Sequence, residues 1–370
     1  MRIVQVAPTP FGSDGIFGGG ERYPLELSRE LAREVDCELV TFGRRPGAHR
    51  EASGLRVRVV TAVAFLHNHP AHPLAPGLFW AISGADVVHT HHMRSTPSRF
   101  AAVTARARGA KTAVTDHGLQ GGDWGGLLPR LFDRFLTVSR YSADELHAPT
   151  ALTRVIFGGA DPVHFRPDPA AARQGVLFVG RLTPHKGIDR LIGALPPGES
   201  LRLAGSAGHD PHPPERNYPQ LLRQLSAGKH VDFLGPVSEE LLPSLYRSAR
   251  LLALPSVEDT CYGRKVRVSE LLSLATIEAM ASGTPVVCSR LGGLPEVVQD
   301  GVTGFLVPPG DTKELSERMS ELLRNPELAE RLGRNAREAV LERFTWRRCA
   351  ERCLAAYEEM LAPSTSRGAA

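Results

Sequence analysis

GVLFVGRLTPHKGIDRLI, residues 175–192, joins a short apolar run to an amphipathic one through a turn that carries two cations. The apolar run ends at Gly180, and helical periodicity begins near Gly187. A strand followed by a helix is the repeating unit of a parallel sheet covered by helices. Arg181 and Lys186 would then stand at the carboxyl end of a strand, beside a helix start, where a diphosphate binds well. The alternative is a solvated Arg and Lys on a surface loop, and this stretch alone leaves both open.

The same alternation of apolar runs and amphipathic segments recurs along the chain, which predicts the α/β class with parallel sheets. Strands are predicted at RIVQVA, CELVTF, LRVRVV, ADVVHTHH, KTAVTDHG, FLTVS and RVIFGGAD in the first half, and at GVLFVGR, LRLAG, HVDFLG, ARLLALPS, TPVVCS and TGFLVP in the second. Helical periodicity is clearest at 20–34, 95–108, 312–324, 326–342 and 346–361. In such folds, ligands bind at the carboxyl ends of the strands.

Domain organisation follows from length and composition. A chain of 370 residues exceeds the usual size of one core, so two domains are expected. The Pro- and Ala-rich segment 164–175 is predicted to be the linker. The predicted domains are residues 1–170 and 171–345, followed by a C-terminal helix and tail, 346–370.

Composition narrows the class of protein. With 42% hydrophobic and 23% charged residues, the chain is typical of soluble globular proteins. No run approaches the ~20 apolar residues that span a bilayer, and the N-terminus lacks the apolar region of a signal peptide, so a cytoplasmic location is predicted. A net charge of only +4, without a basic stripe, argues against nucleic acid as a partner. The five cysteines show no metal-ligand spacing, and Cys349 and Cys353 are predicted to be reduced thiols.

Two acids stand in an otherwise apolar stretch, SELLSLATIEAMASG, residues 269–283. On a continuous helix, Glu270 and Glu278 would lie about 12 Å apart along the axis and about 80° apart around it. Each could then contact one end of an elongated ligand, while the N–H groups of Leu271, Leu272 and Ser273 would face an anion between them. A nucleotide sugar has this layout of hexose, diphosphate and ribose. The alternatives are an acid favoured by the helix dipole and an exposed acid, although apolar neighbours make exposure a poor explanation for Glu278.

Two further strand exits carry candidate residues. Gly18, Gly19 and Gly20 precede a helix, so that N–H groups there could approach an anion closely, although G-x-G-x-x-G is absent. His117 follows a strand and could bond a sugar or a phosphate, or simply be structural. The histidines of DVVHTHH and of FLHNHPAHP lack the acids that would complete a metal site, so no metal is predicted.

Together these motifs resemble the GT4-type retaining glycosyltransferases of the GT-B fold. The resemblance runs in order along the chain and is carried by GGGE, TDHG, VSRYSADEL, GGAD, VGRLTPHKGIDRLI, HVDFLGPV, E-x7-E into EAMASGTPVV, and LGGLPEVVQDGVTGFLVPPGD. It implies two facing Rossmann-like domains, the first for the acceptor and the second for the donor, with the last helix crossing back to the first domain. It also implies transfer of a hexosyl-type sugar from a UDP- or GDP-sugar, without a further cofactor or a metal.

The resemblance also implies residue roles. Arg181 and Lys186 would neutralise the diphosphate, Glu270 would bind sugar hydroxyls, and Glu278 would bind the ribose. Phosphate oxygens would contact the Gly18–Gly19 loop and the amides of Leu271, Leu272 and Ser273. His117 would lie near the transferring sugar, and the backbone at Pro236 and Val237 would meet the base.

The sequence departs from the family pattern between Ser256 and Glu270. Many relatives pass almost directly from PS to E-G-F-G, whereas here residues 257–269 form an insert, which covers the donor, touches the acceptor or is a surface loop. Similar local patterns occur in bacterial natural-product pathways, so an aminocyclitol or aminoglycoside precursor is one candidate acceptor, and a lipid or polysaccharide is another. Peripheral membrane contact has only weak support. The alternatives are an epimerase or a sugar-phosphate synthase of the same fold, a nicotinamide oxidoreductase, or a non-catalytic sugar-nucleotide sensor.

Overall fold

The computed structural model describes residues 1–10, 18–118, 125–207, 213–267 and 270–363. It divides into two units, one formed by Met1–Phe157 with Trp346–Ala370 and the other by Gly158–Thr345. The division precedes the Pro- and Ala-rich segment in which the sequence predicted a linker. The reason is local packing, because Ala160 N–H donates to Phe344 O over 2.9 Å and Phe165 is buried within the second unit.

The first unit is built on an eight-stranded sheet in the order β10-β9-β8-β7-β1-β2-β4-β3. All its pairs are parallel except β3 with β4. A two-stranded antiparallel pair, β5 with β6, stands apart from it. The strands are β1 (Arg2–Val6), β2 (Asp36–Gly43), β3 (Gly47–Arg50), β4 (Arg56–Thr61), β5 (Ala64–Phe65), β6 (Pro73–Leu74), β7 (Val87–His91), β8 (Lys111–Thr115), β9 (Arg134–Thr137) and β10 (Thr153–Val155).

Helices cover this sheet. They are α1 (Gly19–Glu34), α2 (Leu78–Ala81), α3 (Thr96–Ala107), α4 (Arg140–Leu146) and the C-terminal helix, Trp346–Leu361. α1 packs against the C-terminal helix, where the buried Tyr23 ring meets Trp346 edge-on at 5.0 Å. β1 and β7 are almost wholly buried because helices lie on both faces, so the polar side chains that they carry are buried too: Gln5, His89, Thr90 and His91.

The second unit has a six-stranded, fully parallel sheet in the order β13-β12-β11-β14-β15-β16. Its strands are β11 (Gln174–Val179), β12 (Ser200–Ala204), β13 (His230–Gly235), β14 (Ala249–Leu254), β15 (Val286–Ser289) and β16 (Phe305–Val307). Its helices are α5 (Ile188–Ala194), α6 (Tyr218–Leu225), α7 (Leu242–Arg247), α8 (Leu274–Ala281), α9 (Leu294–Val297), α10 (Thr312–Arg324) and α11 (Pro326–Arg343).

The predicted α/β class with parallel sheets in two domains is confirmed. The sequence did not predict β3, whose side chains are all exposed on the sheet edge and so leave no apolar pattern. It also did not predict the short β5–β6 pair. None of the helices in the described ranges is long and apolar enough to cross a membrane.

Candidate functional site

The turn after β11 is shaped by close backbone contacts. Gly180 has φ +155, and its N–H donates to Ala204 O over 3.0 Å. A 3-10 helix, Pro184–Lys186, then ends at Gly187, whose φ is +66. A β-carbon at Gly187 would lie 2.0 Å from the carbonyl oxygen of Pro255, which follows β14. Only glycine lets the two loops approach, so this residue holds the turn against the end of the neighbouring strand.

Lys186 projects from this turn onto a buried carboxylate. Its Nζ forms an ion pair with Glu270 Oε1, and the two side chains are 15% and 5% exposed. Ser256, just after β14, donates its hydroxyl to the same oxygen over 2.7 Å. Glu270 is therefore neutralised by residues from two neighbouring strand exits. We call Lys186, Ser256 and Glu270 the carboxylate cluster.

The predicted helix start is wrong, because α8 begins at Leu274 and Glu270 precedes it. Ser273 adopts φ 80 and caps the helix by accepting from Thr276 N–H over 3.3 Å. A residue in that left-handed conformation cannot continue a helix, and the carboxylate cluster draws Glu270 away from the axis. The helical estimate of the separation between Glu270 and Glu278 therefore does not apply. The exposed first-turn amides belong to α8 itself rather than to Leu271, Leu272 and Ser273.

Glu278 lies inside α8 and is buried. Tyr246, a fully buried residue of α7, donates its hydroxyl to Glu278 Oε2 over 2.9 Å. This hydrogen bond offsets part of the cost of burying a carboxylate. The sequence thus identified an unusual acid correctly, and Tyr246 supplies a protein partner that the sequence did not suggest.

The other predicted donor residues of this unit stand at strand exits. Arg181 is exposed, one residue after Gly180, and no described residue forms an ion pair with it. Pro236 is exposed and Val237 is half-buried, directly after β13, where Gly235 O accepts from Gly205 N–H over 2.8 Å. β11, β12, β13 and β14 are parallel, so these exits share one edge of the sheet with the carboxylate cluster.

The insert after Ser256 is tied down over its described part, residues 257–267; Val268 and Ser269 lie outside the described residues. Val257 N–H donates to His185 O over 2.8 Å. Arg264 binds the buried Glu215 through two hydrogen bonds of 2.6 Å, one to each carboxylate oxygen. The beginning of the insert is thus bonded to the residue before Lys186.

In the first unit, the start of α1 meets the residues that follow β7 and β8. Gly18 is the N-cap of α1 and, as a glycine, provides no side-chain cap for the first amides of the helix. A β-carbon on Gly20 would lie 3.4 Å from Cβ of His117 and 3.5 Å from Cε1 of His92. Residues 11–17, the rest of the predicted Gly-rich loop, lie outside the described residues.

His117 lies against other rings. Its Nε2 is 3.1 Å from Nδ1 of His91, and the two imidazoles are nearly parallel. The Tyr23 ring is 4.8 Å away and the His92 ring 5.1 Å away. Burial, together with neighbouring His92 and His89, holds the pKa of His117 well below its usual value. His117 is therefore neutral at pH 7 and acts as a hydrogen-bonding group.

Within the described residues, no three His, Cys, Asp or Glu side chains are arranged to hold a metal ion. The histidines after β5 contact one another at tilted angles, with ring centres of His69 and His72 5.5 Å apart.

Comparison with known proteins decides the family. The model for "Glycosyltransferase Family 4" matches residues 17–164, and that for "Glycosyl transferases group 1" matches residues 164–339. A D-inositol 3-phosphate glycosyltransferase from Saccharomonospora viridis is 33% identical, over 98% of this chain and 94% of its own. The chain belongs to the GT4-type glycosyltransferases.

Solved structures agree with the GT-B fold of this glycosyltransferase. A sucrose-phosphate synthase from Thermosynechococcus elongatus aligns with a TM-score of 0.76 and 23% identity, over 98% of this chain and 100% of its own. HepE of Anabaena, solved in complex with UDP-glucose, aligns with a TM-score of 0.75 and 20% identity, over 97% of this chain and 100% of its own.

The structure gathers the predicted residues of the glycosyltransferase into two groups. Lys186 and Glu270 meet in one unit, and Gly20, at the start of α1, meets His117 in the other. Sequence reasoning missed Ser256, Tyr246 and His91 as partners. The PS after β14 was a usable signal for Ser256, because a hydroxyl at a strand exit is well placed for a ligand or an acid. Nothing in the sequence around Tyr246 marks it.

Proposed function

We propose that this glycosyltransferase moves a hexosyl-type sugar from a UDP- or GDP-sugar to a hydroxyl of its acceptor, with retention of anomeric configuration and without a metal. The observation that carries the proposal is the carboxylate cluster at the carboxyl edge of a parallel sheet. At this edge, Lys186 and the exposed Arg181 can pair with a diphosphate, and the buried Glu270 can bind hydroxyls of the adjacent sugar. The complex of HepE with UDP-glucose supports the same donor class.

Each residue has a proposed role. Among the described residues, Lys186 and Ser256 both contact Oε1 of Glu270, which leaves Oε2 for a sugar hydroxyl. Arg181 and Lys186 neutralise the diphosphate, and Glu278 binds the ribose, for which Tyr246 orients its carboxylate. The amides of Gly18 and Gly19, with those of the first turn of α8, hold phosphate oxygens. His117 contacts the sugar, and the backbone of Pro236 and Val237 contacts the base.

The proposed reaction needs little from the protein beyond positioning and charge. The bond from the anomeric carbon to the diphosphate oxygen breaks, and its electrons go to that oxygen. The acceptor hydroxyl bonds to the anomeric carbon on the face that the diphosphate leaves, and its proton passes to the departing phosphate. Arg181 and Lys186 stabilise the negative charge that develops on the leaving group.

For the acceptor, we propose a cyclitol. The relative from Saccharomonospora viridis is named for an inositol phosphate, and the insert pattern pointed to aminocyclitols.

For the location, we propose the cytoplasm, which cell fractionation tests.

Donor binding is tested by thermal shift with UDP-glucose, UDP-N-acetylglucosamine and GDP-mannose on the wild type, Lys186→Met and Glu278→Gln. Glu278→Gln keeps an acceptor for Tyr246, so a lost shift reports the ligand rather than the fold. We expect one donor to stabilise the wild type and both variants to lose most of that shift. Lys313→Met, an exposed lysine on α10, is the matched control. Wild-type stabilisation in both variants would refute the site.

Turnover is tested with the donor so identified and inositol phosphate, an aminocyclitol or a lipid acceptor. NMR of the product reports the anomeric configuration, and an inverted product would contradict retention. Activity that is unchanged by EDTA is expected. Because a sucrose-phosphate synthase has a similar fold, a sugar phosphate is included as an additional acceptor. Incubation of the donor without any acceptor tests for epimerisation.

A further inference from the structure

A chain of buried polar side chains runs through the first unit up to His117. It contains Gln5 on β1, His89 and His91 on β7, Thr115 at the end of β8, and Tyr357 of the C-terminal helix, all with 0% exposure. Alternate residues of a strand share one face, and register places Gln5 beside His89 and His91 beside Thr115. The family resemblance gave no role to these residues.

The contacts are continuous. Gln5 Nε2 donates to the Tyr357 hydroxyl over 3.1 Å, and Gln5 Oε1 is 2.9 Å from Nε2 of His91. His91 Nδ1 is in turn 3.1 Å from Nε2 of His117. At the other end, the Tyr357 hydroxyl is 2.7 Å from Nδ1 of His89, whose Nε2 is 2.9 Å from the Thr115 hydroxyl.

Donor and acceptor chemistry sets the direction of this chain. An amide oxygen only accepts, so His91 must carry its proton on Nε2. A neutral His91 then has a lone pair on Nδ1, and His117 must donate to it from Nε2. A neutral His117 is left with a lone pair on Nδ1. If the oxygen and nitrogen of the Gln5 amide exchanged places, His91 and His117 would both carry their protons on Nδ1 instead of Nε2. The position of these protons is therefore a testable property.

We propose that Gln5 and His91 are positioning residues that hold His117 as the Nε2–H tautomer, so that its Nδ1 accepts a hydrogen bond from a hydroxyl of the bound sugar substrate. The part of the proposal that concerns the sugar rests on the proposed function. The tautomer itself depends only on the contacts within the first unit.

Burial supports neutral rings throughout. It lowers the pKa of His89 to about 3 and that of His91 well below its usual value, with His89, His117 and His92 adding to the effect on His91. Among the described residues, the rings of His91, His92 and Tyr23 contact His117. The buried carboxylate of Asp116, the preceding residue, accepts from Gly118 N–H over 3.0 Å and lies 3.6 Å from a guanidinium nitrogen of Arg94. The amide of Gln5 is therefore the group whose hydrogen bond orients the chain.

The direct test is long-range proton–nitrogen NMR on protein labelled with nitrogen-15 histidine, with His117 assigned through His117→Gln. We expect His117 and His91 to be protonated on Nε2 near pH 7. In Gln5→Met the chain is cut, and His117 should become a mixture of tautomers. In Gln5→Glu the carboxylate should favour doubly protonated His91, which would shift the His117 proton to Nδ1. His117 protonated on Nδ1 in the wild type would overturn the proposal, as would an unchanged tautomer in Gln5→Met.

Sugar transfer is the second readout. We expect Gln5→Met to lower the rate about 10- to 100-fold, as is usual when an orienting partner is lost. Thr90→Val is the control, because Thr90 is buried on the same strand but lies on the opposite face from His89 and His91. Full activity in Gln5→Met together with a changed tautomer would refute the substrate contact. If the wild type transfers no sugar yet shows the expected tautomer, the proposed function fails and the tautomer assignment stands.

Discussion

The Lys186–Glu270 pair is a buried ion pair whose partners are 84 residues apart in the chain. Loss of one partner leaves an uncompensated charge, whereas loss of both leaves little to compensate. This asymmetry makes the pair a structural element of the binding site as well as a candidate ligand contact.

Lys186→Met is expected to destabilise the protein by about 3 kcal/mol, because Glu270 would keep only the Ser256 hydroxyl. Glu270→Gln added to that variant should recover much of the loss. Urea unfolding of the two single variants and the double variant gives the coupling energy. The exposed Lys313–Glu317 pair on α10, treated the same way, is the control and should show no measurable coupling. Additive losses at Lys186 and Glu270 would contradict the buried pair.

A second residue-scale prediction concerns Gly187. Gly187→Ala must adopt a left-handed conformation and also meet the carbonyl oxygen of Pro255. Gly228 also has a left-handed conformation, with φ +77, but a β-carbon there would meet no other atom within 4 Å. Gly228→Ala therefore measures the conformational cost alone. We expect Gly228→Ala to cost about 1 to 2 kcal/mol, and Gly187→Ala to cost about 2 kcal/mol more. Equal melting temperatures for the two variants would show that the loops do not approach as described.

At the scale of elements, the insert is anchored by the ion pair of Arg264 with the buried Glu215, in addition to backbone hydrogen bonds. Arg264→Gln removes the bidentate ion pair with Glu215 and should make residues 257–267 open more often. Hydrogen exchange is the measurement, since Val266 N–H bonds to Glu258 O and Thr260 N–H to Arg264 O within the insert. We expect faster exchange at both amides. Lys265→Gln removes only an exposed ion pair with Asp259, at 4.0 Å, and should leave exchange unchanged. Equal exchange in Arg264→Gln would contradict the anchoring.

The ends of elements also show where sequence reasoning failed. Periodicity correctly predicted the parallel strands of both sheets and the long helices, because apolar spacing directly reflects which face is buried. It placed the start of α8 too early, because Leu271 and Leu272 extend the apolar pattern of the helix towards the N-terminus. The left-handed Ser273 and the partners of Glu270 break the helix there, and no local pattern encodes them.

At the scale of the whole molecule, the buried neutral histidines predict acid sensitivity. Each has a pKa below that of the unfolded chain, so the unfolded state binds more protons as the pH falls below about 6.5. Stability contributed by a neutral His89 is therefore complete above that pH and is lost progressively down to about 3, the pKa in the fold. The slope is about 1.4 kcal/mol per pH unit for each such histidine.

Urea unfolding at pH 7, 6 and 5 measures this slope. His89→Asn keeps an amide near the Tyr357 hydroxyl and should reduce the slope, whereas His49→Gln, on the exposed strand β3, should not. A slope that His89→Asn leaves unchanged would show that His89 does not titrate on unfolding.

Alternation of apolar runs and amphipathic segments was sufficient to predict the α/β class, because it depends only on which neighbours along the chain share a face. For the same reason it predicted that Arg181, Lys186 and His117 stand at strand exits. Only the tertiary structure decided that Lys186 and Ser256 neutralise Glu270, that Tyr246 bonds Glu278, and that a chain from Gln5 reaches His117. These contacts join residues from different strands and helices, so packing rather than local spacing creates them.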